Sequence, residues 1–294
     1  MKSLKGKRIL ITGVGLKPAE FVFKDITTGE SSHTSIVINN KEYKANIGAA
    51  TAFECARAGA IVYLVSRTES KLQMIKKWIE DNISDAHVEH SAIDLNDMNA
   101  IKDMVDSIPD DLPLYWVQSV GLGAGTVKLK DDNPYLLIDD LSEELIEAEL
   151  TVLKNTISLL RLLLPKFKKQ AETRVCVVSS MSAVRSVISG SMHMAAKGAI
   201  SRFTNAAMIE LDKDKIFVTD IRPGIVDTGM YDTRVVQKTV SMMGKNFGYD
   251  YSKTNLFCTP PSAVGEAIVT ALTSRGHITS INMVARGQWP HEGS

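Results

Sequence analysis

Cysteine is scarce in this chain. Three occur in 294 residues (Cys55, Cys176 and Cys258), odd in number and far apart. That excludes a disulfide framework and a thiolate zinc site. There is no excess of either charge: 34 Lys and Arg balance 34 Asp and Glu, for a net charge of zero. Such a chain carries no field that would draw nucleic acid or an anionic surface. No apolar run approaches the ~20 residues of a membrane span. The basic start, Lys2 to Arg8, is followed by Ile9-Leu10-Ile11 alone, too short for a signal-peptide core. His33, His87, His90, His277 and His291 are scattered without ligand spacing, so no metal is expected. Together these absences predict a soluble cytoplasmic protein, with no nucleic acid and no membrane as partner.

What is present is alternation. Short β-rich runs at 8–12, 61–66, 87–92, 114–118, 174–179, 217–221 and 278–283 alternate with amphipathic stretches at 48–58, 69–82, 96–107, 142–168, 193–211 and 261–274. Strand–helix alternation means parallel strands joined by crossover helices. Ile61-Val62-Tyr63-Leu64-Val65 and Val175–Val178 are apolar throughout, as strands covered on both faces must be. The expected fold is α/β: one Rossmann-type, doubly wound parallel sheet of about seven strands, forming a single domain over 1–294. Two segments break the rhythm. Within 16–45, Ser35-Ile36-Val37-Ile38, Asn39-Asn40 and Lys41-Glu42-Tyr43-Lys44 spell a β-hairpin insertion. The segment 228–260 is rich in Met, Gly, Tyr and Lys, and its length suits a substrate lid or loop.

The most informative residues are His193 and Lys197. Four apart in Ser191-Met192-His193-Met194-Ala195-Ala196-Lys197, they share one face of a helix. Ser180 ends the apolar run Val175-Cys176-Val177-Val178-Ser179. A serine after a buried strand, then a proton-handling group and a lysine one helical turn on, resembles the active-site pattern of the short-chain dehydrogenase/reductase family, with His193 standing where that family has tyrosine. The resemblance implies catalytic roles for Ser180, His193 and Lys197.

It extends to the cofactor site. The family writes Thr-Gly-x-x-x-Gly-x-Gly between first strand and first helix. Here Thr12-Gly13-Val14-Gly15 begins the motif and Asn46-Ile47-Gly48 completes it after the insertion, with Asn46 in place of a glycine. Asparagine tolerates left-handed backbone, so the turn is expected to survive. Ser66 and Arg67 follow the second strand where an NAD site carries an acidic residue. An arginine there suits a 2′-phosphate, so NADP(H) is favoured over NAD(H). Asp94-Leu95, Gly121, and Pro223-Gly224-Ile225 with Thr228 match further cofactor positions, and Lys197 would also hold the nicotinamide ribose. Val152 falls where the family has a relay asparagine, with Asn155 one turn later.

Imidazole can donate or accept a proton near neutral pH, so the implied function is an NADP(H)-dependent oxidoreductase acting on a small or medium-sized carbonyl or alcohol. Two alternatives stay open: non-redox chemistry on the same scaffold (an isomerase, dehydratase or cyclase), or a catalytically silent NADP-binding protein. Met192, Met194, Met230, Tyr231, Met242, Met243 and Phe247 are candidates for an apolar lining, although Met194 and Met208 also suit an ordinary helix core. By analogy with the family, a homodimer or homotetramer is expected through the helices at 142–168 and 193–211. The stripe Leu153, Ile157, Leu160 and Leu164 is the candidate contact.

Overall fold

The computed structural model describes residues 3–20, 22, 33–121, 138–186, 190–232 and 258–285. Met242, Met243, Phe247 and the segment 286–291 lie outside them, as do parts of 16–45 and 228–260.

Seven parallel strands form the main sheet: β1 (Arg8–Thr12), β5 (Ile61–Ser66), β6 (His87–Ala92), β7 (Leu114–Gln118), β8 (Thr173–Val178), β9 (Ile216–Pro223) and β10 (Ser280–Met283). Their order is β10-β9-β8-β7-β1-β5-β6. The chain therefore winds outward in opposite directions on either side of β1. That switch between β1 and β7 opens a crevice at the carboxyl ends of the strands, where ligands of such sheets bind.

Strand alternation builds a core on each face of the sheet. Ile9, Ile11, Val62 and Leu64 point to one side, where they pack with α1 (Ile47–Arg57), α2 (Glu69–Asn82) and α6 (Pro261–Thr273). Leu10, Val65, Val175 and Val177 point to the other, against α3 (Met98–Ser107), α4 (Glu143–Phe167) and α5 (Ser191–Leu211). The buried stripe of α4 runs Glu149, Val152, Thr156, Leu159, Leu160, Leu163, Phe167, at the three- and four-residue spacing of one helix face. Leu160 is thus core, packed in the same cluster as Leu153 and Leu164. Of the expected oligomer stripe, Leu160 is buried while Leu153, Ile157 and Leu164 are half-buried; the exposed large apolar side chains on these two helices are Leu150 and Ile209.

Boundaries shift by a residue or two for local reasons. α3 begins at Met98 because Asp97 caps it, its carboxylate accepting from the amides of Asn99 and Ala100. β9 runs on through Pro223, whose missing N–H is tolerated at a strand end.

The insertion holds the expected hairpin, β3 (Ser35–Ile38) and β4 (Lys41–Ala45). Asn39 and Asn40 form its two-residue turn at φ 51° and 59°, the left-handed pair that a tight hairpin requires. A third strand, β2 (Leu16–Pro18), was not legible in the sequence and pairs antiparallel with β4. Its three residues are too few to show a period. Leu16, Ile36 and Ala45 join the main core, so the small sheet is packed onto the fold.

Candidate active site

The cofactor turn closes across the insertion through one side chain. Asn46 has φ −80° and ψ 176°, an extended backbone and not the left-handed one expected. Its amide does the work of the missing glycine differently. Oδ1 accepts from the Gly15 amide at 3.0 Å and the Ala49 amide at 2.9 Å, and Nδ2 donates to the Gly13 carbonyl at 2.7 Å. The two ends of the interrupted motif are stitched together, and α1 is capped in the same stroke.

The glycines are required by close approach. Gly13 has φ +86°, and a Cβ there would lie 2.6 Å from the Val120 nitrogen. At Gly48 a Cβ would meet Ser119 Oγ at 2.5 Å and the Gly13 carbonyl oxygen at 2.8 Å. Thr12 is fully buried, its hydroxyl donating to the Val117 carbonyl and accepting from the Trp116 indole. It supports the turn from below and does not reach the crevice.

Three features of this chain suit a phosphorylated dinucleotide. The amides of Ile47 and Gly48, at the start of α1, make no hydrogen bond among the described residues, leaving donors for a pyrophosphate. Arg67 is exposed past the end of β5 with no ion pair among the described residues. Lys197 is 6% exposed, yet among the described residues its ammonium makes one hydrogen bond, to the Val178 carbonyl at 3.2 Å. An ammonium has three donors. Burial lowers the Lys197 pKa, against the nearby carboxylates of Glu149 and Asp220, which raise it. Its nitrogen lies 3.8 Å from where a Cβ on Gly121 would be. The spare donors therefore sit between the ends of β7 and β8.

Other expected cofactor residues have mixed placements. Asp94 is exposed, and its carboxylate accepts from the Asn96 amide. Leu95 packs on the core. Ser66 is half-buried at the strand end. Beyond Pro223, the Gly224 amide donates to the Met283 carbonyl at 2.6 Å. A short ladder then joins Ile225 and Asp227 to Thr259, which fixes the backbone leading to the half-buried Thr228.

The insertion braces this same stretch. Lys44 of β4 is fully buried with its ammonium 2.7 Å from Asp227 and 2.9 Å from Asp232. Gly229, at φ +77°, turns against it, so that a Cβ would lie 3.1 Å from Lys17 Cβ. None of Lys44, Asp227 or Asp232 was singled out in the sequence. A lysine in a hairpin and two aspartates in a loop read as solvated until the fold brings them together.

Ser180 follows β8 and caps the 3-10 turn Met181–Ala183. Its Oγ accepts from the Ser182 amide at 3.1 Å and pairs with the Ser182 hydroxyl at 2.8 Å. That turn packs against α5. Behind it, fully buried Asp220 accepts hydrogen bonds from the Ser179 hydroxyl, from Ser201 Oγ at 2.6 Å and from Arg222 Nε at 2.7 Å. The carboxylate thus ties β8, β9 and α5 into one frame under the site.

His193 lies in the first turn of α5. Its Nδ1 is 3.1 Å from Glu149 Oε1, a carboxylate on the buried face of α4. The sequence pointed to Lys197 as the charge beside the ring and missed this acid. Val152, at the expected relay position, is core, and Thr156 beyond it accepts from Gln118 Nε2 at 2.7 Å. Asn155 does not compensate, for its amide donates to Asn96 at the surface.

A family profile described as short chain dehydrogenase matches residues 44–239. The chain belongs to that family, an oxidoreductase family built on this sheet. A curated relative, the NADP-dependent 3-hydroxy acid dehydrogenase of Schizosaccharomyces pombe, is 26% identical over 238 residues, covering 80% of this chain and 85% of its own. Among solved structures, L-sorbose reductase from Gluconobacter frateurii, complexed with NADPH and L-sorbose, superposes with a TM-score of 0.70 at 18% identity, covering 98% of each chain. An NADPH-bound short-chain oxidoreductase from Pseudomonas aeruginosa PAO1, described as containing an atypical catalytic center, gives 0.73 at 16% identity, covering 99% of this chain and 100% of that one. Among the described residues, no helix is long and apolar enough to cross a membrane.

Proposed function

We propose that this protein is an NADP(H)-dependent oxidoreductase that interconverts a small or medium-sized carbonyl compound and its alcohol, with Ser180, His193 and Lys197 at the reacting centre. The observation that carries the reading is the buried Lys197 ammonium, with donors to spare, beside Gly121 and one helical turn from His193. A buried cation with open donors is costly unless a ligand uses them.

Bound, the nicotinamide would supply or accept the hydride. Backbone amides of Ile47 and Gly48 would take the pyrophosphate, Arg67 the 2′-phosphate, Lys197 the ribose hydroxyls, and the stretch from Pro223 to Thr228 the nicotinamide side. Ser180 would orient the carbonyl oxygen by hydrogen bonding, and His193 would give or take the proton there. The NADP dependence of the Schizosaccharomyces pombe relative supports the cofactor choice. A cytoplasmic, single-domain protein is the matching proposal, as is a homodimer or homotetramer. In that assembly Leu150 and Ile209 are the exposed apolar candidates on the two long helices.

His193 and Val152 depart from the family pattern, and this favours a second reading: the scaffold keeps NADP and runs isomerisation, dehydration or cyclisation. Titration with NADPH and NADH by fluorescence, followed by a carbonyl panel, separates the two. NADPH that binds tightly and is oxidised supports the reductase. Tight binding without oxidation by any carbonyl supports the second reading, and no binding of either nucleotide refutes both.

A further inference from the structure

Glu149 is an anomaly on its helix. It occupies the buried stripe of α4, 6% exposed, between core positions on either side. It is the seventh residue of the helix, past the first turn where the helix dipole would favour an acid. An isolated carboxylate in such a place is strongly disfavoured. Its neighbours explain it: the His193 imidazole at 3.1 Å and the electrostatic influence of the buried Lys197 ammonium.

The pairing has chemical content. A carboxylate only accepts hydrogen bonds, so the ring nitrogen facing it, Nδ1, carries the proton. In the neutral ring Nε2 is then the basic nitrogen, on the side away from Glu149. The His193 side chain is 40% exposed while that of Glu149 is 8% exposed. The ring therefore has one nitrogen fixed inside the protein and the other turned outward. The ring sits in the first turn of α5, one turn from Lys197, and Glu149 is the acid that faces it.

We propose that Glu149 is a positioning residue that holds His193 as its Nδ1–H tautomer and balances the imidazolium form, so that Glu149 and His193 together do the proton work. This rests on the oxidoreductase reading. In reduction, the carbonyl carbon accepts a hydride while its oxygen takes the proton from His193 Nε2. The ring ends neutral, with Nδ1–H still on Glu149, and regains a proton from solvent at Nε2. In oxidation each transfer reverses. The carboxylate is not consumed and changes no bond.

Two measurements test this. The first is 15N NMR of ring-labelled apoprotein, with the His193 signals assigned by their loss in His193→Phe. Wild type is expected to show the Nδ1–H tautomer. Glu149→Gln, whose amide can also donate to the ring, is expected to shift it toward Nε2–H. A wild-type ring in the Nε2–H form overturns the proposal, and this needs no variant of Glu149 to fold. The second is steady-state NADPH oxidation with butane-2,3-dione as probe. Glu149→Gln is expected to lower kcat by about 100-fold, in line with the loss of acid–base catalysis, with the KM for NADPH within about two-fold. A kcat within about two-fold of wild type, or equal loss of cofactor affinity, overturns it. Failure of wild type to bind NADPH would sink the oxidoreductase reading and leave the tautomer result to be judged by itself.

Discussion

Replacing Lys44 with methionine tests the idea that the inserted sheet is an integral brace. The side chains of Lys44 and Asp227 are fully buried and that of Asp232 is 5% exposed, with ammonium-to-carboxylate distances of 2.7 and 2.9 Å. Methionine nearly matches lysine in volume, so little cavity is created and the loss is electrostatic. Two buried carboxylates would lose the cation between them. Breaking a buried ion pair in this way costs about 3–5 kcal/mol. For a chain of this length, about 2 °C of Tm is lost per kcal/mol, so a fall of roughly 6–10 °C is expected. Scanning calorimetry at neutral pH gives the number. The triple variant K44M/D227L/D232L removes the charges together and is expected to recover much of the loss, since exchanging a whole buried ion cluster for apolar groups of similar volume is close to neutral. A Lys44→Met Tm within about 2 °C of wild type, or a triple variant as unstable as the single one, would refute the reasoning.

Asn46→Ala removes the helix cap and the link to Gly13 and Gly15 together. It is expected to cost about 2 kcal/mol in denaturant melts and to weaken NADPH binding in a fluorescence titration; unchanged stability would contradict the stitching role. Arg67→Ala is expected to reduce the preference for NADPH over NADH about ten-fold while leaving Tm unchanged, because the arginine is exposed; the ratio of dissociation constants decides it. Lys197→Met exchanges a buried ammonium for an apolar chain. It is expected to raise stability by about 1 kcal/mol while abolishing turnover. Burial lowers the Lys197 pKa below 10.5, so the unfolded chain holds the proton over a range where the folded one has lost it. The lysine's contribution to stability therefore rises with pH between its depressed value and 10.5, and the advantage of methionine should shrink across that window in melts at successive pH values. The three thiols are buried, with Cys176 pushed up to about 12 and Cys55 and Cys258 also raised by burial. Native protein should thus react with Ellman's reagent only at the rate of unfolding.

The sheet was legible because its signals are local. Short β-rich runs bounded by turns and followed by amphipathic helices repeat along the chain, and four of the expected strands (8–12, 61–66, 87–92 and 114–118) coincide with the observed ones. The hairpin was legible for the same reason, since Asn39-Asn40 between alternating residues is a turn by its chemistry. The three-residue strand β2 carries no period of its own and exists because β4 offers it an edge. What stayed hidden is long-range pairing. Glu149 reads as one more acid in a helix beginning Glu143-Glu144, and its identity as a buried residue emerges only when the stripe from Val152 to Phe167 is turned toward the sheet. The Asn46 reading failed in an instructive way: residue type was taken as a backbone property, whereas the side chain replaces the missing glycine by hydrogen bonds across 33 residues of sequence separation.

This contrast bears on the proposed site. On the proposed reading, histidine at the expected tyrosine position looks, along the chain, like the loss of one group beside a lysine. In the folded protein the histidine is one end of a pair whose other end lies 44 residues earlier, one turn before Val152, the expected relay position. Val152 belongs to the core, and on the proposed reading the polar role expected there is taken by Glu149, which faces the His193 ring. A single-residue reversion to tyrosine would leave a buried carboxylate facing a phenol, with the relay position still apolar. His193→Tyr alone is therefore expected to lower turnover, and the combination of His193→Tyr with Val152→Asn and Glu149→Leu is the variant that should approach the usual chemistry of the family. Full activity in the single variant would show that the two helices do not act as a unit.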